Sequence, residues 1–204
     1  MTKTPIRTNR FLLTALAVFA AALSLVCGLG SNRSKTGQEL GSEAERQKAF
    51  ELIEDANQNI KSIKVLYRNN NSKIGELEQA LKAGDLKRVK ELADELSLAI
   101  NDGYLFADSI LTKIEEAQTL DINPTWRRYL SLKQESLELQ IRAFDYRKSS
   151  AELFRDKIGT EDQATLKLAR DTFKKNEEGF KKYMDEAEEV SKEADDLRKS
   201  TIGK

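Results

Sequence analysis

The residue types that run most enzyme chemistry are nearly missing from this sequence. It has no histidine and one cysteine in 204 residues. Without imidazole there is no Ser-His-Asp triad, no His-ligated zinc or haem, and no di-iron Glu-x-x-His site. The single thiol, Cys27, allows neither an internal disulfide nor a Cys-x-x-Cys centre. Carboxylates are plentiful, but Glu115-Glu116, Glu177-Glu178 and Glu186-Glu188-Glu189 lie among lysines on polar helix faces. That pattern reads as solvated surface, not as an acid/base pair. No phosphate loop, dinucleotide-binding glycine motif, EF-hand loop or nucleophile elbow occurs. The residues thus point to a protein that is not an enzyme, with no catalytic residue, no metal and no cofactor.

Four other residues offer a candidate site. Asn70, Gly103, Gln140 and Asn176 fall near mid-height when each helix is measured from its turns. Three of them occupy or flank positions that the apolar repeat marks as inward. Together they predict one of two things. The first is a buried polar layer that fixes register at a cost in stability. The second is a small polar pocket opened by the missing side chain at Gly103. The aromatics Trp126, Tyr129, Phe144, Tyr146, Phe154, Phe173, Phe180 and Tyr183 concentrate in the third and fourth helices. They read as core filling, with an apolar slot between the last two helices as the alternative.

These residues must be positioned by helices. Two prolines, ten glycines and one-third charged residues make an all-α composition. Ala49, Ile53, Ala56, Ile60, Ile63, Tyr67, Asn70, Ile74, Leu77 and Leu81 recur at alternating intervals of four and three. This unbroken heptad predicts one helix straight through Asn69-Asn70-Asn71, stopped by Gly84, with Asp85 capping the next. The second helix carries Leu86, Val89, Ala93, Leu96, Ile100, Gly103, Ala107, Ile110, Ile114 and Ala117. Asn123-Pro124 opens the third. Its stripe reads as Tyr129, Leu132, Ser136, Leu139, Ala143, Tyr146, Ser150 and Leu153. After Gly159, a Thr160-to-Gln163 capping box opens the fourth. That helix carries Leu166, Ala169, Phe173, Asn176, Phe180, Tyr183, Ala187, Val190, Ala194 and Leu197. Short turns between long helices predict an elongated antiparallel up-down-up-down four-helix bundle with coiled-coil-like packing, over residues 43–204.

Ahead of the bundle, residues 11–29 contain no charge and follow three basic residues. Nineteen helical residues span about 28 Å, the depth of a bilayer core. The flanking charge predicts a single-pass anchor (1–30) in the cytoplasmic membrane with the C-terminal body outside. A cleaved signal, leaving a secreted or periplasmic body, is one alternative. A lipoprotein modified at Cys27 is another, although Ser24 and Val26 occupy the positions where a lipobox has Leu and a small residue. Residues 31–42 are polar and Gly/Ser-rich, a flexible tether.

The net charge of zero hides an asymmetry. Five of the 34 basic residues precede the first acid, Glu39, leaving 29 basic against 34 acidic residues and a net of −5. A mildly acidic body with interleaved charges argues against nucleic acid as partner. The outline of membrane segment plus four helices resembles the LemA-like proteins and the sensory domains of chemoreceptors. No LemA-type motif is present, and no residue is carried over from either. The sequence points to a non-enzymatic, membrane-anchored, extracytoplasmic bundle that mediates protein–protein or envelope interactions. The alternative is a small-ligand binding module using the mid-bundle polar layer.

Overall fold

A computed structural model of the chain describes residues 43–157 and 163–202. These form four helices packed against one another, with no strand among the described residues. Helix α1 spans Glu43–Ala83, α2 Leu86–Thr119, α3 Pro124–Lys157 and α4 Gln163–Leu197. Arg198–Ile202 extends α4 as a wider π turn. The anchor at 11–29, Cys27, the tether at 31–42 and the first residues of the Thr160 capping box lie outside the described residues. No helix among the described residues is long and apolar enough to cross a membrane.

The helix ends follow their local chemistry. α1 runs unbroken through Asn69-Asn70-Asn71, as its heptad predicts. It stops at Gly84, whose φ of +73° is open to glycine at little cost. The Asp85 N–H then returns to the Ala80 carbonyl at 3.0 Å, closing a Schellman turn. The Asp85 carboxylate accepts from the Arg88 N–H at 3.0 Å and caps α2. Asn123 Oδ1 accepts from the Thr125 N–H at 2.7 Å, and Pro124 occupies the first position of α3, where its missing N–H is not needed. Arg170 of α4 donates twice to the Leu81 carbonyl, at 2.8 and 3.2 Å, and so satisfies an acceptor in the last turn of α1.

Cross-helix pairs set the directions. Lys48–Glu116, Lys113–Asp55 and Arg88–Glu76 join α1 to α2 with numbers rising on one helix as they fall on the other. Arg128–Glu193 and Arg147–Glu177 do the same for α3 and α4. Tyr104–Asp145 and Gln118–Ser131 do so for α2 and α3. Consecutive helices are therefore antiparallel. The exposed bridges among these contribute little stability individually.

The buried apolar core comes in two clusters. The larger includes Ile60, Ile63, Ala107, Ile110, Leu132, Leu137, Ala143 and Phe180. The smaller includes Ile74, Leu77, Leu92, Leu96, Ala151 and Phe154. The chain is thus well packed toward both ends of the bundle and interrupted at mid-height.

Two stripes differ from those read in the sequence. In α3 the buried positions are Tyr129, Lys133, Ser136, Gln140, Ala143, Arg147, Ser150 and Phe154, with Leu130, the expected Leu132, Leu137 and Ala151 beside them. Leu139, Tyr146 and Leu153 are only half-buried. The true stripe is also a perfect four-three alternation, but polar residues stand at every seventh position, Lys133, Gln140 and Arg147. An apolar criterion rejects that phase. In α4 Ala187 and Ala194 are buried as expected, but Met184 and Ser191 are buried where Tyr183 and Val190 were expected.

Candidate functional site

The interruption in the core is a half-enclosed cleft of about 80 Å³ lined by α1, α2 and α3. Three of the four mid-height residues line it: Asn70 from α1, Gly103 from α2 and Gln140 from α3. The walls are mostly apolar, with Ile63, Ile74, Ile100 and Phe144 among them. Gly103 supplies part of the space. A Cβ built there would meet only Leu66 Cδ2, at 3.7 Å.

Asn176 does not join them. It is buried in the α3–α4 interface, and its Nδ2 donates to Ser150 Oγ at 2.8 Å. Its height along the bundle is right, but its face of α4 is turned to α3. Asn70 is half-buried, and its Nδ2 donates at 2.8 Å to the Leu66 carbonyl one turn back on its own helix. The four residues therefore do not close a single hydrogen-bonded layer.

Gln140 is the informative member. It is 1% exposed. Ser136 Oγ lies 2.8 Å from the Ala187 carbonyl, which can only accept, so the one hydroxyl proton goes there. Ser136 Oγ must then accept from Gln140, which fixes Nε2 on that side at 3.2 Å. The orientation of the amide follows from its neighbours and needs no assumption about which end is oxygen. Oε1 is left buried with no partner in the protein. Asn71 Oδ1, on the α1 side of the same cleft, is likewise buried and unpartnered.

The charge at the cleft is already committed. Arg147, 7% exposed, donates through Nε and Nη2 to both carboxylate oxygens of Glu177, each at 2.9 Å. Its guanidinium lies 3.4 Å from the centre of the Phe180 ring, a cation–π stack. It also lies beside the Tyr67 hydroxyl. Burial pushes the Tyr67 phenol above its usual range, and the neighbouring Arg147 opposes that rise. The Tyr104 hydroxyl donates to Asp145 Oδ1 at 2.7 Å, and burial, then this bond, raise its pKa strongly.

A polar seam between α3 and α4 went unread in the sequence. Lys133, 3% exposed, donates to Asp195 Oδ1 at 2.9 Å and to Ser191 Oγ at 3.3 Å. Burial lowers its pKa, with Asp195 opposing. Tyr129 stands beside it with Nζ 5.6 Å from the ring centre, and its hydroxyl is buried without a partner. The available signal was the seven-residue spacing of Lys133, Gln140 and Arg147. Among the described residues, no group of His, Cys, Asp and Glu could hold a metal ion. No known protein family, curated protein or solved structure matches the chain.

Proposed function

We propose that the chain is a non-enzymatic binding module. In this reading residues 11–29 anchor it in the cytoplasmic membrane and hold an elongated up-down-up-down bundle on the outer face. The bundle binds a small ligand in its mid-height cleft. One observation carries the ligand reading: the core is interrupted at mid-height by a mostly apolar cleft of about 80 Å³ that Gly103 leaves open. Residues that served only to fix register would gain by filling that space, because an unfilled cavity forfeits packing contacts.

The test is thermal unfolding of the full-length protein in lipid nanodiscs, titrated with furan as a small apolar probe. Binding to the folded state raises the melting temperature by mass action. Gly103→Leu fills the cleft, leaves the anchor intact and should abolish the shift. A shift equal in both proteins would mean partition into lipid and would remove the cleft from consideration.

A protein partner is the second reading. Leu98 and Leu105 are 67% and 71% exposed and lie seven residues apart on one face of α2. Two exposed leucines so placed favour a docking stripe for another apolar helix.

A further inference from the structure

We infer that the outer face of α2 around Leu98 and Leu105 docks a basic amphipathic helix of a partner protein. The inference rests on the partner reading above and names the chemistry of that partner. Its first support is the charge of the face. Between Lys90 and Lys113, α2 carries Glu91, Asp94, Glu95, Asp102 and Asp108 and no base, whereas acids and bases are interleaved over the other helices. These acids border the exposed leucines. Asp94, Glu95 and Asp102 lie three or four residues from Leu98, and Asp102 and Asp108 lie three from Leu105. Each leucine therefore has acids one turn away on both sides.

The second support is that part of this charge has no partner in the bundle. Glu91 is paired with Arg88 and Glu95 with Lys73. Asp102 and Asp108 are exposed, and among the described residues no ion pair engages them. A partner that covered the leucines would meet these carboxylates with lysine or arginine. The third support is contrast. Val65 of α1 is also exposed, but Lys61 and Arg68 stand one turn from it and no acid does. The acidic border thus belongs to the α2 leucines and not to every exposed apolar residue. It also disfavours other occupants. A second copy would set acids against acids, and an anionic lipid surface or nucleic acid would be repelled. Two leucines one heptad apart match a helix with the same apolar spacing and bases on either side.

Two synthetic helices separate these terms. Each has 18 residues, the length from Glu91 to Asp108, and leucines one heptad apart. One carries lysine at the flanking positions and the other glutamate. Binding would be read by fluorescence anisotropy on the full-length protein in zwitterionic nanodiscs, with empty nanodiscs subtracted. The lysine peptide should bind about tenfold tighter than the glutamate peptide. That preference should shrink as salt is raised from about 0.05 to about 0.5 M. Leu98→Ser with Leu105→Ser should weaken the lysine peptide about tenfold, and Asp102→Asn with Asp108→Asn should lower the preference. All four side chains are exposed, so neither pair of changes touches the core.

Equal binding of the two peptides, lost in the serine variant, would overturn the basic partner and leave the partner reading standing. Lysine-peptide binding that survives the serine variant would overturn the inference, since the peptide would then sit elsewhere. Self-association of the wild type that the serine variant abolishes would also overturn it, by giving the face to a second copy. Failure of both peptides to bind would overturn the inference and the partner reading together.

Discussion

Three helical glycines sit in three different environments, and alanine at each should give a different sign or size of effect. Replacing an interior helical glycine by alanine gains about 1 kcal/mol from backbone entropy alone. At Gly75 of α1 an added Cβ meets nothing within 4 Å, so Gly75→Ala should show that propensity gain and little more. At Gly103 the Cβ would rest 3.7 Å from Leu66 Cδ2, an ordinary contact. Part of one methyl is then removed from water, where full burial of a CH₂ gives about 0.8 kcal/mol. Gly103→Ala should therefore stabilise by about 1–1.5 kcal/mol, or roughly 2–6 °C for a domain of this size. At Gly179 of α4 the Cβ would fall 2.6 Å from the Tyr146 ring. That ring is stacked on Tyr183 at 5.8 Å and cannot withdraw without breaking the stack. The overpacking penalty of about 1–3 kcal/mol exceeds the propensity gain, so Gly179→Ala should be neutral to destabilising. Urea unfolding followed by far-UV circular dichroism, with the slope held common, would rank the three. Loss of stability in Gly103→Ala would refute the open space at the cleft. A gain in Gly179→Ala equal to that of Gly75→Ala would refute the packing of Tyr146 against α4.

Arg147→Met leaves Glu177 without its partner beside a buried ring, and should cost about 3 kcal/mol in the same assay; the double variant with Glu177→Met should recover most of it, and additive losses would show that the two side chains do not act as a pair. Burial, assisted by Asp195, raises the Tyr129 pKa, so above about pH 10 the unfolded chain releases a proton that the fold retains, and stability falls as pH rises. Tyr129→Phe should remove about 1.4 kcal/mol per pH unit from that alkaline slope, and an unchanged slope would mean that Tyr129 titrates freely in the fold. The full-length chain should sediment with membranes and resist a carbonate wash, while a chain starting near Glu39 should not; recovery of the full-length chain in the soluble fraction would refute the anchor.

Helix number and helix ends were legible in the sequence because each rests on short-range chemistry. Gly84, Asp85 and Asn123-Pro124 all act within a few residues of themselves. The continuity of α1 through three asparagines was legible for a different reason: a loop seldom resumes a heptad in phase. Of the candidate site, Asn70, Gly103 and Gln140 were found together by measuring distance from the turns. That measure gives height along a bundle but not rotation about each helix, which is why Asn176 was misplaced. Rotation failed in α3 for a related reason. Lys133 and Arg147 point inward because Asp195 and Glu177 of α4 meet them, and those partners are 62 and 30 residues away in sequence.

The heptads of α3 and α4 are nearly periodic, and a periodic pattern is indifferent to sliding. Shift one helix past the other by two turns and leucine, alanine and phenylalanine positions still face apolar neighbours. Lys133 and Arg147 remove that indifference because each is paired with one acid of α4. Lys133 needs Asp195, and Arg147 needs both oxygens of Glu177. A two-turn slide in either direction would put Met184 or Arg170 where Glu177 now meets Arg147, and would leave that cation buried without its acid. The two cations act as unlike teeth on an otherwise uniform rack, and the observed alignment of the two helices lets both of them mesh.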